Sequence, residues 1–372
     1  VVAGRTRNKK SITLDLRQRE GQELLKELVL KADFLLENFR PGTLEKWGLG
    51  FDVLSSINPR LIMIRVSGYG QSGPYSHRAG FGAIDEAMGG LRFVVGGPSA
   101  PPSRMGISIG DSLAATSACV GALSALHYRE KTGRGQIVDS AIYEAVLNMM
   151  ESLINEYDKT GFIRERTGAI LPRISPSNVY PTRDSLVLIA ANQDTVFGRL
   201  GEAMGRADLA RDPDYVDHQS RGLNQAKLDA LIGKWTAALP TADVLSITDG
   251  HGFPCGLIYR APEMLSDPHF AARDAIVSVK DPHYGNLKMQ NVAPQLSETP
   301  GGIRSAAPTL GQHNEEIYLS LIQMSRARFD ELKRTQIIRP TPHCRLCVFN
   351  IHFGSWDYRF TKKFSTGTSC AK

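Results

Sequence analysis

Apolar positions along the first part of the chain fall into two alternating rhythms. Ser11-Ile12-Thr13-Leu14-Asp15-Leu16 alternates with a period of two and predicts a strand. From Gly21 to Lys31 the apolar residues Leu24, Leu25, Leu28 and Val29 share one helical face. Asp33-Phe34-Leu35-Leu36-Glu37 then reads as a short buried strand, and residues 44–49 and 53–58 as short helices. Arg60-Leu61-Ile62-Met63-Ile64-Arg65-Val66-Ser67 is a second buried strand, closed by the loop 68–74. Strands and helices alternating at this spacing predict an α/β fold: a Rossmann-like large domain with a parallel sheet and helices on its faces.

The second half has a different texture. Residues 80–102 are rich in Gly and Pro and are expected to line a cleft. Helices are expected over 112–131 and 140–160, a linker over 175–181, a strand over 186–190 and a helix over 194–204. Strands over 276–279 and 288–292 would return the chain to the large domain, and a last helix would run from Leu310 to Leu321. The expected segmentation is a large domain over 1–182, a smaller α+β domain over 183–275, a return segment over 276–338 and a tail over 339–372. That tail mixes Pro, Cys, Trp and basic residues without an amphipathic period, so disorder is expected of it.

Composition narrows the function classes. At 372 residues, with 42% apolar and 22% charged residues, the chain is long enough for two domains of ordinary globular character. The net charge of +6 is mild, and no basic stripe is interleaved with aromatics, so no nucleic-acid partner is expected. No run of about 18 uncharged apolar residues is present, so no membrane span is expected either. Five scattered cysteines indicate a reducing compartment rather than a disulfide framework. The expected location is therefore the cytoplasm, or the mitochondrion in a eukaryote. Cys119, inside an apolar helix, reads as a small core residue. His343, Cys344, Cys347 and His352 match no zinc-finger spacing, and no metal is expected.

The chemistry concentrates at Gly110-Asp111-Ser112, where a short apolar strand is expected to end and a helix of small residues to begin. A carboxylate at or beside an N-cap is stabilised as an anion by free backbone N–H groups and the helix dipole. Such an Asp is most often a cap, but it can also be presented as a nucleophile. Asp139, after the turn Gly133-Arg134-Gly135-Gln136, is the rival carboxylate and reads as structural.

Residues 106–139, the segment Glu37-Asn38-Phe39-Arg40-Pro41-Gly42 and the segment Asn58-Pro59-Arg60-Leu61-Ile62 together resemble the class III CoA-transferases of CaiB/BaiF type. That family includes formyl-CoA transferase, the carnitine CoA-transferases and alpha-methylacyl-CoA racemase. The resemblance covers roughly residues 4–338. It implies a Rossmann-like domain and a smaller domain in an interlocked homodimer, with Asp111 as the residue that carries the acyl group. Asn38, Phe39, Arg40 and Lys46 then correspond to CoA-contacting positions. Arg7, Lys9 and Lys10 are cations able to pair with its phosphates. The substrates implied are an acyl-CoA, with succinyl-CoA a sensible donor, and a small or dicarboxylic acid as acceptor. CoA enters as substrate, and no permanently bound cofactor is expected. Glycines 82, 89 and 90 are candidates for close backbone approach to an oxyanion.

Departures from the family pattern bear on the rival readings. The racemase branch carries a His where this chain has Phe81, which cannot exchange a proton. The family often has an acidic residue at the next position, here Gly82, while Asp85 and Glu86 follow out of register. The resemblance also implies a further βαβ stretch ahead of Val1, so the alternatives are a racemase on the same fold or an inactive CoA-binding fragment.

Overall fold

The computed structural model describes residues 6–339, so the expectations for the tail, including its cysteines, lie outside the described residues. The chain divides into two units, one formed by Ala32–Met264 and the other by the described residues on either side of it. The fold is mixed α/β with a parallel sheet, as the alternation of elements predicts.

In the Ala32–Met264 unit, strands β1 (Phe34–Glu37), β2 (Ile62–Ser67) and β3 (Ile137–Ala141) form a parallel sheet in the order β1-β2-β3. The register sets Glu37 beside Arg65, and Arg65 beside Asp139. The long helix Ile109–Thr132 lies on this sheet. Its buried stripe is Ala114, Ala118, Ala122 and Ala125, which packs against Ile62, Ile64 and Val138 and against Ile142, Ala145 and Val146. Small residues let the helix come close: a Cβ on Gly121 would sit 2.6 Å from a Val138 methyl. Gly133, at φ 74°, ends the helix in the left-handed conformation that favours glycine.

This helix differs from its expected form in three ways. It begins at Ile109 rather than 112, and no strand precedes it. Cys119 is exposed, not in the core, because one residue's rotation takes it off the alanine stripe. With 24 residues and a mean hydropathy of 1.3 over its best 18, the helix is long and apolar enough by length and composition to cross a membrane, although Asp111 and Arg129 leave it no run of 18 uncharged residues. Core helices of globular proteins reach the same length and hydropathy, and this one carries Asp111 and Arg129 and buries its alanine face.

Residues expected as a linker, 175–181, instead contribute β4 (Ser177–Pro181). It pairs antiparallel with β5 (Leu186–Ala190), which pairs antiparallel with β6 (Cys255–Leu257). Helices Asp194–Ala203, Gln225–Ala237 and Thr241–His251 cover this sheet around Tyr180, Val187, Ile189, Phe197, Leu200, Leu228, Ile232 and Val244. The expected helix over 140–160 is two, Ile142–Leu147 and Leu153–Thr160, separated by Glu151 at φ 52°.

In the other unit, Ser11 to Leu16 is fully buried but joins no sheet. Its alternate N–H groups are taken one by one: Ser11 donates to His313 Nδ1, Thr13 to Asn314 Oδ1 and Asp15 to the Ile337 carbonyl. The Tyr318 hydroxyl donates to the Thr13 carbonyl. His313 thereby acquires a structural role that its sequence context leaves open. Strands β7 (Ile276–Asp281) and β8 (Gly285–Gln290) pair as an antiparallel hairpin. The helix expected from Leu310 is a π-helical stretch, Glu316–Leu321.

Candidate functional site

The C-terminal ends of β2 and β3 and the start of the long helix come together, the usual place for ligands in an open α/β sheet. Asp111 is the third residue of that helix. It is exposed and makes no hydrogen bond or ion pair among the described residues, so it is not acting as a cap. The capping is done elsewhere. The Ser108 side chain caps nothing, and the Gly110 N–H donates to Glu86 Oε1 at 3.2 Å. Gly110 permits this: a Cβ there would stand 2.8 Å from the Glu86 Cγ. Glu86 is buried, and its second oxygen accepts from Arg92 Nε at 2.9 Å.

The helix Gly82–Met88 supplies the other wall. A Cβ on Gly82 would lie 2.8 Å from Asp111 Oδ1, so the Gly82 backbone is flush with the carboxylate. Of the other two candidate glycines, Gly89 packs against Val146, and Gly90 starts the next short helix in the left-handed region at φ 92°. Phe81 stands immediately before this helix and is 74% exposed. Asp85, one turn on, is fully buried. Burial, with the Asp111 charge second, pushes its carboxyl up to about 6. Sequence reading passes over Asp85 and Glu86 as out of register. Their helical spacing from Gly82 is the signal that could have placed them on the face turned to Asp111.

Asp139 accepts a hydrogen bond from the Gln71 N–H at 2.8 Å, tying down the loop after β2. At the end of β1, Asn38 and Arg40 are exposed and Phe39 is half-buried. The loop is anchored from below. Glu37 Oε2 accepts from the Phe39 N–H at 2.7 Å, and Glu37 Oε1 accepts from Arg65 Nε at 2.6 Å. Arg65 also pairs with Glu45 at 2.7 Å. Burial pushes the Glu37 carboxyl up despite its Arg65 partner, whereas the Arg65 hydrogen bond holds Glu45 down. Phe39 meets Trp47 edge-on at 5.5 Å, and Lys46 is exposed beside it in sequence. The structure thus brings Asn38, Phe39, Arg40 and Lys46 into one loop-and-helix corner. Arg7, Lys9 and Lys10 belong to the other unit, where Lys10 is paired with Glu316. Lys9 is half-buried, and burial and the neighbouring Arg7 lower its ammonium pKa.

The chain belongs to CoA-transferase family III, whose profile matches residues 1–314. It is a CoA-transferase. Among its relatives is the succinyl-CoA–D-citramalate CoA-transferase of Chloroflexus aurantiacus, 58% identical over 89% of this chain and 83% of that one. The beta subunit of succinyl-CoA–L-malate CoA-transferase from the same organism is 40% identical over 90% and 83%. The crystal structure of a CaiB/BaiF family protein from Brucella suis superposes with a TM-score of 0.75 at 31% identity, covering 87% of this chain and 82% of that chain.

Proposed function

We propose that the protein moves CoA from succinyl-CoA to a hydroxydicarboxylic acid, with Asp111 as the covalent carrier. The observation that carries this reading is an exposed, unpaired carboxylate in the first turn of a long helix, with the Gly82 backbone against it. A group left without structural partners, where the helix dipole favours an anion, is available to attack. An Asp111 oxygen adds to the thioester carbonyl. The C–O bond forms, the C–S bond breaks, and the electron pair leaves with the CoA sulfur. The thiolate then attacks the Asp111 carbonyl of the anhydride, releasing the donor acid as a carboxylate and leaving an aspartyl-CoA thioester. The acceptor carboxylate takes the place of the donor acid, and the same two steps run in reverse.

The substrate class is taken from the relatives, whose names give succinyl-CoA as donor and citramalate or malate as acceptor. The CoA moiety would lie on Asn38, Phe39, Arg40 and Lys46, the corner at the end of β1. A second copy of the chain is the partner we propose for the exposed apolar side of the long helix, where Val120 is 61% and Leu123 is 59% exposed. Phe81 offers no proton to exchange, so nothing at this position favours racemisation.

The test is rapid quenching of the protein with succinyl-CoA followed by peptide mass spectrometry. A CoA adduct is expected on the peptide containing Asp111, and none with Asp111→Ala or Asp111→Asn. Undiminished exchange by Asp111→Ala would remove the mechanism.

A further inference from the structure

Asp85 is an acid beside this centre that neither the transfer steps nor a structural hydrogen bond among the described residues uses. Its side chain is 0% exposed, and neither carboxylate oxygen has a hydrogen-bond partner among the described residues. Gly68, following β2, and Gly80 make room for it: a Cβ would come within 2.7 Å of Asp85 Oδ2 at Gly68 and 3.3 Å at Gly80. On the same helix, Gly82 abuts the Asp111 carboxylate. An unpartnered buried carboxylate is costly to the fold, and an apolar residue would fill the same space without that cost.

We propose that Asp85 is a positioning residue for acyl transfer: sealed without a partner beside Asp111, its carboxylate repels the resting Asp111 anion, and acylation of Asp111 relieves that repulsion. The inference rests on Asp111 being the nucleophile. When an Asp111 oxygen bonds to the acyl carbon and the pair leaves on sulfur, Asp111 loses its negative charge. Asp85 gives up no proton in that step. It makes the uncharged acyl-enzyme more favourable relative to the free carboxylate, a ground-state effect that raises the acylation rate.

The charged and titratable groups on the surrounding elements are Glu86 beside it, Arg92 on Leu91–Val94, Tyr143 and Glu144 on Ile142–Leu147, and Asp111 on the long helix. Glu86 and Arg92 are engaged with each other, and the Tyr143 hydroxyl donates to Glu144. Asp111 is the charge that acts on Asp85. The repulsion exists only when Asp85 is ionised, so it switches on as pH rises through about 6.

The experiment follows single-turnover acylation by succinyl-CoA from about pH 5 to about pH 8 in the full chain. Wild type should rise with a midpoint near 6 to a plateau roughly three- to tenfold higher, the ratio that about half to one pK unit of charge coupling gives. Asp85→Asn should be flat at the lower plateau, with unchanged affinity for succinyl-CoA. Asp85→Ser should behave alike and serves if the Asn variant does not fold. A wild-type pH rise retained in either folded variant, or a flat profile at the upper plateau, overturns the proposal. Asp111→Ala in the same assay separates the two levels. Its inertness alongside an unaltered Asp85→Asn profile sinks only the role of Asp85, whereas acylation without Asp111 sinks both.

Discussion

Asp85 also leaves a thermodynamic signature that does not depend on catalysis. In the folded chain its carboxyl is held at about 6 against an ordinary 3.8, chiefly by burial. Below pH 3.8 it is neutral in both folded and unfolded states and contributes no penalty. As pH rises from there to 6 the unfolded chain ionises first, and folding loses stability; above 6 the full penalty applies. At about 1.4 kcal/mol per pH unit this reaches at most about 3 kcal/mol. Asp85→Asn abolishes the ionisation. The variant's advantage over wild type should therefore widen by roughly 1.4 kcal/mol between about pH 5 and about pH 7.5. The constant cost of burying an amide cancels from that difference. Urea denaturation of both proteins at each pH, at one protein concentration, measures it. A gap that stays constant, or narrows as pH rises, would refute the claim that burial holds this carboxyl above its ordinary range in the folded state.

Two further outcomes follow from the same region. Arg65→Met should strand the buried Glu37 carboxylate, destabilise the fold by about 3–5 kcal/mol in denaturant titration and raise the KM for acyl-CoA through the Phe39 loop; adding Glu37→Gln should restore part of the stability. Gly82→Ala should push the Asp111 carboxylate aside and lower kcat by roughly 10- to 100-fold with little change in melting temperature, while Gly250→Ala, whose Cβ would touch nothing within 4 Å, should leave kcat unchanged.

What the sequence conveyed well was local and periodic. The strands at 34–37 and 62–67 are runs of apolar residues bounded by turn signals, and Gly133 closes the long helix where a left-handed residue is needed. Asp111 stands out through the resemblance of residues 106–139 to the CoA-transferases, because a Gly-Asp-Ser step before a helix is locally most often a cap. Its distinction from a mere cap was not legible, since that depends on Glu86 reaching the Gly110 N–H from another helix. The same limit explains the misread elements. Ser11 to Leu16 alternates like a strand, yet its partners are His313 and Asn314, some 300 residues away, and they bond through side chains. Residues 175–181 look like a linker because they hold Pro and Ser, but strand β5 gives them an antiparallel partner.

The site shows why chemistry that depends on burial escapes a linear reading. Phe81, Gly82, Asp85 and Glu86 are near neighbours in sequence, and a register argument treats the acids as displaced from where one is expected. On a helix, residues three and four apart share a face, so moving from Gly82 to Asp85 or Glu86 costs little in direction. Sequence could not show that one of these acids is partnered by Arg92 and the Gly110 N–H while the other is walled in by Gly68 and Gly80. That difference decides their roles. A partnered carboxylate fixes the start of the helix carrying Asp111; an unpartnered one beside a second carboxylate makes each charge depend on the state of the other. A glycine at 82 is what lets the two effects meet, because any Cβ there would occupy the space of the Asp111 carboxylate itself.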